Sequence, residues 1–302
     1  MGENSSFTLY EGCLIRARLP HLEKSARAVF DRFGIQFSGL EGASCCPDPI
    51  GIRGVDEETW LTLAARNLAI AGRHSTPMMT LCSGCYSTFR HAEHLLAKNA
   101  SVLEKVNNTL HALGYRYSPG LAVEHFARFI IEKIGADKLA SQMTDSWKGL
   151  PVAVHYGCHF LRPSHIMQFD DPENPTKMEA LLRALGAEAL DYPQKMLCCG
   201  SPIQGIDAEL SLRMAYEKLR LMKSHGAKAV VLICPSCYLQ FDVLQKSMEQ
   251  KFGLSLELPI LYLTEFIALA LGVPPSSLGL HLHRTDTRRL IREIFPEKDS
   301  GD

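Results

Sequence analysis

Short apolar runs and longer amphipathic stretches alternate along this chain. Phe7-Thr8-Leu9-Tyr10, Met78-Met79-Thr80-Leu81, Val152-Ala153-Val154-His155-Tyr156 and Ala229-Val230-Val231-Leu232-Ile233 are almost wholly apolar, with Gly, Pro or Cys nearby. Runs of that length without polar alternation predict strands covered on both faces. Between them, His21 to Phe33, Glu57 to Ile70, Lys177 to Leu185 and Asp207 to Met222 carry apolar residues at helical spacing. In the last, Leu210, Leu212, Met214, Leu219 and Met222 form an approximate stripe. Tyr86 to Leu113 and Tyr238 to Phe252 read as two further, matching helices. Alternating strands and helices predict an α/β fold of small parallel sheets flanked by helices, with sites at the carboxyl ends of the strands.

The pattern is used twice. Leu121-Ala122-Val123-Glu124-His125-Phe126 resembles Ile260-Leu261-Tyr262-Leu263-Thr264-Glu265-Phe266, and each leads into a short apolar helix, which puts His125 and Glu265 at corresponding, structural places. The cysteines repeat more strictly. Cys13, the pair Cys45-Cys46, and Cys82 with Cys85 are separated by gaps of 31 and 35 residues; Cys158, Cys198-Cys199, and Cys234 with Cys237 by gaps of 39 and 34. Such an order is the signature of a duplicated module. Two similar domains are expected, 1–146 and 147–302, with the boundary in the polar stretch from Ser141 to Leu150.

Composition narrows the function classes. The chain has 302 residues, 46% hydrophobic and 22% charged, which suits a soluble globular protein of two domains. A net charge of −1 gives no electrostatic footprint for nucleic acid or an anionic membrane. The longest apolar stretch, Leu258 to Pro274, is too short to span a bilayer and reads as a buried helix. Met1 to Glu11 lacks the basic region and apolar run of a secretory signal, so a cytoplasmic location is expected. Met1-Gly2 with Ser6 fits the myristoylation pattern, which is loose enough to be matched by chance. The tail from His281 to Asp302 is charged and poorly periodic, and reads as a segment that wraps a partner or stays loose.

Ten cysteines in a reducing compartment point to metal rather than disulfides. Cys-x-x-Cys offers two thiolates on one turn, and three strand ends bring distant segments together. Structural zinc takes four ligands, as does an ordinary cubane cluster. Five cysteines per half leave one over, and the side chains of an adjacent pair diverge, so a larger or more open iron–sulfur cluster fits the count better. Four ligands and a spare buried thiol in each half is the alternative.

With these motifs assembled, the chain resembles the duplicated cysteine-rich CCG domain of the heterodisulfide reductase B subunit over nearly its whole length. The resemblance is carried by Gly12-Cys13, by Leu40 to Pro47, by Trp60 to Leu68, by Ala153 to Phe160, by Met196-Leu197-Cys198-Cys199-Gly200 and by Cys234 to Asp242. It implies two noncubane [4Fe-4S] clusters, one on Cys13, Cys45, Cys46, Cys82 and Cys85 and the other on Cys158, Cys198, Cys199, Cys234 and Cys237, facing a cleft between the halves. It further implies reduction of the coenzyme M–coenzyme B heterodisulfide or a related sulfur substrate. Electrons would arrive from a C-subunit-like protein with cubane [4Fe-4S] clusters and an A-subunit-like flavoprotein that bifurcates electrons. One departure bears on the substrate: where the methanogen pattern has a Gly-rich run after the second Cys-Cys-Gly, this chain has Ser201-Pro202-Ile203-Gln204-Gly205.

His155 and His159 flank Cys158 and are candidates to donate protons or hydrogen bonds to a product thiolate. Structural hydrogen bonding weighs more, since thiolates held on iron need few protons and the first half has no matching histidines. Gly42, Gly84, Gly157 and Gly200 sit beside cysteines, where a cluster requires close backbone approach. The loop from Asp170 to Pro175 reads as a solvated connection, or a rim for a partner. No G-x-G-x-x-G follows a strand, so no flavin is expected in this chain, and electrons must come from another protein of the complex. Two competing readings are an electron-relay component of a hydroxyacid- or quinone-linked or bifurcating complex, and a zinc-binding assembly module.

Overall fold

The computed structural model describes residues 6–296, so the Met1-Gly2 pattern and residues 297–302 of the tail lie outside the described residues. Strands β1 (Ser6–Tyr10), β2 (Gln36–Gly39), β3 (Met78–Thr80) and β4 (Val123–His125) form a wholly parallel sheet in the order β2-β1-β3-β4. Strands β5 (Pro151–His155), β6 (Glu188–Ala189), β7 (Ala229–Leu232) and β8 (Ile260–Tyr262) repeat it as β6-β5-β7-β8. The two similar α/β units expected from the sequence are therefore present. The central strands are apolar on both faces because helices cover both: Val152, Ala153, Val154, Val230 and Val231 are fully buried. The edge strand β2 is mostly exposed and β6 is only two residues long, which is why neither shows as an apolar run.

The helices Pro20–Arg32, Glu57–Ala71, Lys177–Ala184 and Ala208–Ser224 lie where helical spacing predicts them. Four expectations need correction. Tyr86 to Leu113 is two helices, Ser83–Lys98 and Ala100–His111, because extended Asn99 ends the first and its side chain accepts from the Val102 N–H to start the second. Tyr238 to Phe252 is likewise interrupted, by a wide turn over Leu239–Val243. The apolar stretch from Leu258 opens with β8 before becoming the buried helix Leu263–Ala270. The tail is neither loose nor free as far as Pro296: Asp242 accepts from the Arg284 and Thr285 backbones, and the helix Thr287–Ile294 buries Leu290 and Ile291.

Strand registers align Tyr10, Thr80 and His125 in one sheet with His155, Leu232 and Tyr262 in the other. The counterpart of His125 is therefore Tyr262, not Glu265. Both precede a helix: His125 Nδ1 accepts from the Ala127 N–H, and Glu265 accepts from the Tyr262 N–H.

The halves join through polar contacts and packed helices. Pro20–Arg32 packs on Leu263–Ala270, with Ser25 Oγ and Thr264 Oγ1 at 2.6 Å. The Ser83 hydroxyl donates to the Ile233 carbonyl at 3.0 Å, and the Tyr262 hydroxyl donates to the Leu81 carbonyl. Each of these carbonyls belongs to the residue just before the first cysteine of a Cys-x-x-Cys. The crossed bonds thus clamp the two turns together, each held by the opposite half.

Candidate metal centre between the halves

Every cysteine follows a strand end. Cys13 and Cys158 are the first residues of the helices Cys13–Arg18 and Cys158–Leu161, each after a glycine of positive φ, Gly12 at 77° and Gly157 at 74°. Cys82 and Cys234 are the N-caps of Ser83–Lys98 and Pro235–Tyr238, and Cys85 and Cys237 follow in the first turn. Of these six thiols only Cys234 is pulled down, by its contacts with Cys237 and Cys82 and by backbone N–H groups of its own turn.

The thiols form one series. Neighbouring thiols that influence one another's protons run Cys13–Cys45–Cys46–Cys85–Cys82 in the first half. They run Cys158–Cys198–Cys199–Cys237–Cys234 in the second. Cys82 and Cys234 are neighbours across the boundary. The order in one half mirrors that in the other. Sulfur separations include 4.0 Å for Cys13 to Cys45 and 3.3 Å for Cys199 to Cys237.

Crowding divides the protons unevenly. Contacts with Cys45 and Cys85 pull Cys46 down to about 5, and those with Cys158 and Cys199 pull Cys198 down to about 2. Cys13, Cys158, Cys85 and Cys237 are pushed up, first by hydrogen bonds to neighbouring sulfurs and then by burial. Ten thiolates cannot sit in contact without positive charge between them. A multi-iron centre in each half supplies such charge, so the soft, crowded donor set fits iron–sulfur ligation. His155, Cys199 and Cys237 also bring ligand atoms within 4.8 Å of one another.

Nine of the ten cysteines, all but Cys198, line a single cavity of about 380 Å³ between the halves. Ser201 and Pro202 line it too, so two of the residues that depart from the Gly-rich pattern form part of its wall. His159 reaches this cavity and a side depression that it shares with Arg53, His91 and Arg162; its Nε2 is buried without a partner.

His155 is buried at the end of β5, with Nε2 3.2 Å from Cys237 Sγ. Burial lowers its pKa to about 3, so it is a neutral imidazole and a hydrogen-bond partner rather than an imidazolium acid. The register places Tyr10 at the same point of the first half. Its hydroxyl donates to the Ser44 carbonyl at 2.7 Å, and burial, with Cys85 and Cys46 next, raises its pKa. Sequence reasoning missed Tyr10, although it precedes Cys13 by the same three positions as His155 precedes Cys158.

It also missed Asn67 and Lys218. Asn67 accepts from the Ser44 N–H and donates to the Cys45 carbonyl. Lys218 donates to the Lys195 and Leu197 carbonyls at 2.7 Å each. The helix Ala208–Ser224 therefore turns Ser211, Ala215, Lys218 and Leu219 inward, and Leu210, expected in the apolar stripe, is exposed. A lysine at a core-facing position was the available signal.

The glycines differ in what they do. A Cβ at Gly12 would lie 3.1 Å from Cys85 Sγ, and one at Gly157 would lie 3.5 Å from the Cys234 Cβ. Gly200 is pressed against the helix, its Cβ position 2.5 Å from the Ser211 carbonyl oxygen. At Gly42 only the positive φ constrains the residue, and at Gly84 neither constraint applies.

Behind the thiols lies a second buried group. His283 Nε2 is 2.9 Å from Glu265 Oε1, and His21 Nε2 is 3.2 Å from the Tyr238 hydroxyl. Burial opposes charge on His283, but Glu265 and then Asp242 outweigh it and raise its pKa. His21, Glu265 and His283 bring possible ligand atoms within 4.8 Å of one another; Glu265 and His283 are already hydrogen-bonded, whereas His21 Nδ1 is buried without a partner.

Among the described residues no helix is long and apolar enough to cross a membrane. The CCG cysteine-rich domain family matches residues 7–90 and 152–242. The B subunit of the ferredoxin/F(420)H(2)-dependent CoB-CoM heterodisulfide reductase of Methanosarcina acetivorans is 32% identical over 293 residues, 96% of this chain and 97% of the relative. The 8-methylmenaquinol:fumarate reductase membrane anchor subunit of Wolinella succinogenes is 30% identical, over 94% of this chain and 98% of its own. A crystal structure of a hypothetical protein from Helicobacter pylori shares the fold, with TM-score 0.76 and 16% identity over 94% of this chain; the match spans about half, 52%, of that structure. With the mirrored thiols, the duplicated sheets and these matches together, the chain belongs to the family of heterodisulfide reductase B subunits, built of duplicated CCG domains.

Proposed function

We propose that this chain is the iron–sulfur catalytic subunit of a heterodisulfide reductase-type complex, reducing a disulfide or related sulfur substrate. Cys13, Cys45, Cys46, Cys82 and Cys85 in a first domain (1–146), and Cys158, Cys198, Cys199, Cys234 and Cys237 in a second (147–302), would each hold a noncubane [4Fe-4S] cluster. The observation that carries the reading is the thiol series, which crosses the boundary at Cys82–Cys234 and, Cys198 apart, lines one cavity. When bound, two one-electron centres supply the two electrons that S–S cleavage consumes. The chain's own residues do the rest. The bonds from Ser83 and Tyr262 fix the two Cys-x-x-Cys turns against each other, so a substrate between them meets one prearranged geometry. His155 holds a hydrogen bond at Cys237 Sγ, and His159, which lines the cavity, is the candidate to hydrogen-bond a departing thiolate.

Membership of the family supports a place in a multi-subunit complex, and the reading adds a C-subunit-like protein with cubane clusters and an A-subunit-like flavoprotein, in the cytoplasm. The likeness to a menaquinol:fumarate reductase component favours a second reading, an electron relay without a disulfide substrate. The test is anaerobic purification from native cells, with iron and sulfide analysis, electron paramagnetic resonance and titration with CoM-S-S-CoB and simpler disulfides. Two iron–sulfur centres whose spectra change with a disulfide support the catalytic reading. Two centres indifferent to every disulfide support the relay, and zinc without iron removes both.

A further inference from the structure

The two thiol sets are held by equivalent helices with different charges. Glu57–Ala71 starts at Asp56, which accepts from the Thr59 N–H, and Ala208–Ser224 starts at Asp207, which accepts from the Leu210 N–H. Eleven positions beyond each cap stand Asn67 and Lys218, both buried. Each ties down the loop carrying the adjacent cysteine pair: Asn67 holds the backbone of Ser44 and Cys45, and Lys218 the carbonyls of Lys195 and Leu197. The same task is done by a neutral amide in one half and by an ammonium in the other. Leu197 is bonded to Cys198, and Lys218 and Cys198 line one depression. The two carbonyls compensate part of the charge but leave it beside the second set.

We propose that Lys218 is a positioning residue that makes the two centres electronically unequal, its buried charge favouring the reduced state of the centre on Cys158, Cys198, Cys199, Cys234 and Cys237. The inference rests on the iron–sulfur reading above. Reduction adds one electron and no proton, so the centre becomes one unit more negative, and a fixed cation nearby stabilises that form. Asn67 gives the first centre no such help. Both polar partners of Lys218 Nζ are carbonyl oxygens, acceptors that suit the ammonium form; burial lowers its pKa, and Cys237 and Cys199 pull it back up. A unit charge within about 10 Å in partly buried surroundings alters such an equilibrium about tenfold, which is about 59 mV for a one-electron couple. The consequence is directional: the lysine biases an arriving electron toward the second centre.

The experiment is an anaerobic redox titration of the whole chain with dithionite, followed by electron paramagnetic resonance, on the wild type, Lys218→Gln and Lys218→Arg. Gln keeps two N–H donors for the loop and loses the charge; Arg keeps the charge. The expected result is a roughly tenfold shift of one centre toward its oxidised form in Lys218→Gln, with the other centre and Lys218→Arg unchanged. Equal potentials in wild type and iron-loaded Lys218→Gln overturn the proposal, as does a matching shift in Lys218→Arg. Should Lys218→Gln lose iron from one half, Asn67→Lys gives the converse measurement: a tenfold shift of the first centre toward reduction supports the proposal, and no shift overturns it. A wild type without iron–sulfur spectra would instead remove the reading on which the proposal rests.

Discussion

Gly12→Ala and Gly84→Ala separate two glycines that look alike in sequence, each beside a cysteine. Gly12 has φ 77° and ψ 166°, a region that side-chain-bearing residues scarcely enter, at a cost of about 1–3 kcal/mol. The added Cβ would also lie 3.1 Å from Cys85 Sγ. Cys85 is buried in the first turn of its helix, so its thiol has little room to withdraw. Gly84 is in the same turn with ordinary helical backbone, and its Cβ would meet Cys82 Sγ at 3.6 Å, a normal contact. Replacing glycine where the conformation suits alanine gains about 0.4–1 kcal/mol. In urea unfolding, with a slope of about 3 kcal/mol per M, a loss of about 2 kcal/mol lowers the midpoint of Gly12→Ala by about 0.7 M. Gly84→Ala should match or exceed the wild type, and iron per chain should fall only in Gly12→Ala. Equal destabilisation by the two substitutions, or a neutral Gly12→Ala, would refute the reasoning from backbone geometry.

Three other outcomes are expected. Tyr262→Phe leaves the buried Leu81 carbonyl without its donor, so thermal unfolding should report a loss of about 1–3 kcal/mol and loosened coupling between the halves. Glu265→Gln breaks the buried pair with His283 and should cost up to about 3–5 kcal/mol. The raised pKa of His283 makes the wild-type contribution full below about pH 6.5 and lost as pH rises through the raised value, so wild type and variant should converge at high pH. Burial lowers His125 to about 3, so the unfolded chain takes up a proton below about pH 6.5 that the folded chain refuses. Between those limits His125 should subtract about 1.4 kcal/mol of stability per pH unit, and a stability profile of His125→Asn with the same acid slope would count against this.

The duplication, the class of fold and the candidate thiols were legible in the chain itself. A strand covered on both faces must be apolar at every position, which marked β1, β3, β5 and β7, and a cysteine order repeated at near-equal gaps needs no coordinates to be seen. Helix breaks at Asn99 and Leu244 were hidden because apolar periodicity continues across them while local hydrogen bonding does not. What only the tertiary structure decided is which groups meet. The proximity of Cys82 to Cys234 joins positions 152 residues apart through the crossed bonds of Ser83 and Tyr262. What Tyr10 and His155 each touch depends on how the strand ends pack, and what Asn67 and Lys218 hold depends on which helix face turns inward. Pattern along a chain reports how each segment is buried. Charge placement and proximity arise only when two such segments from different halves share one cavity, because Coulomb and hydrogen-bond energies depend on distances that sequence separation does not contain.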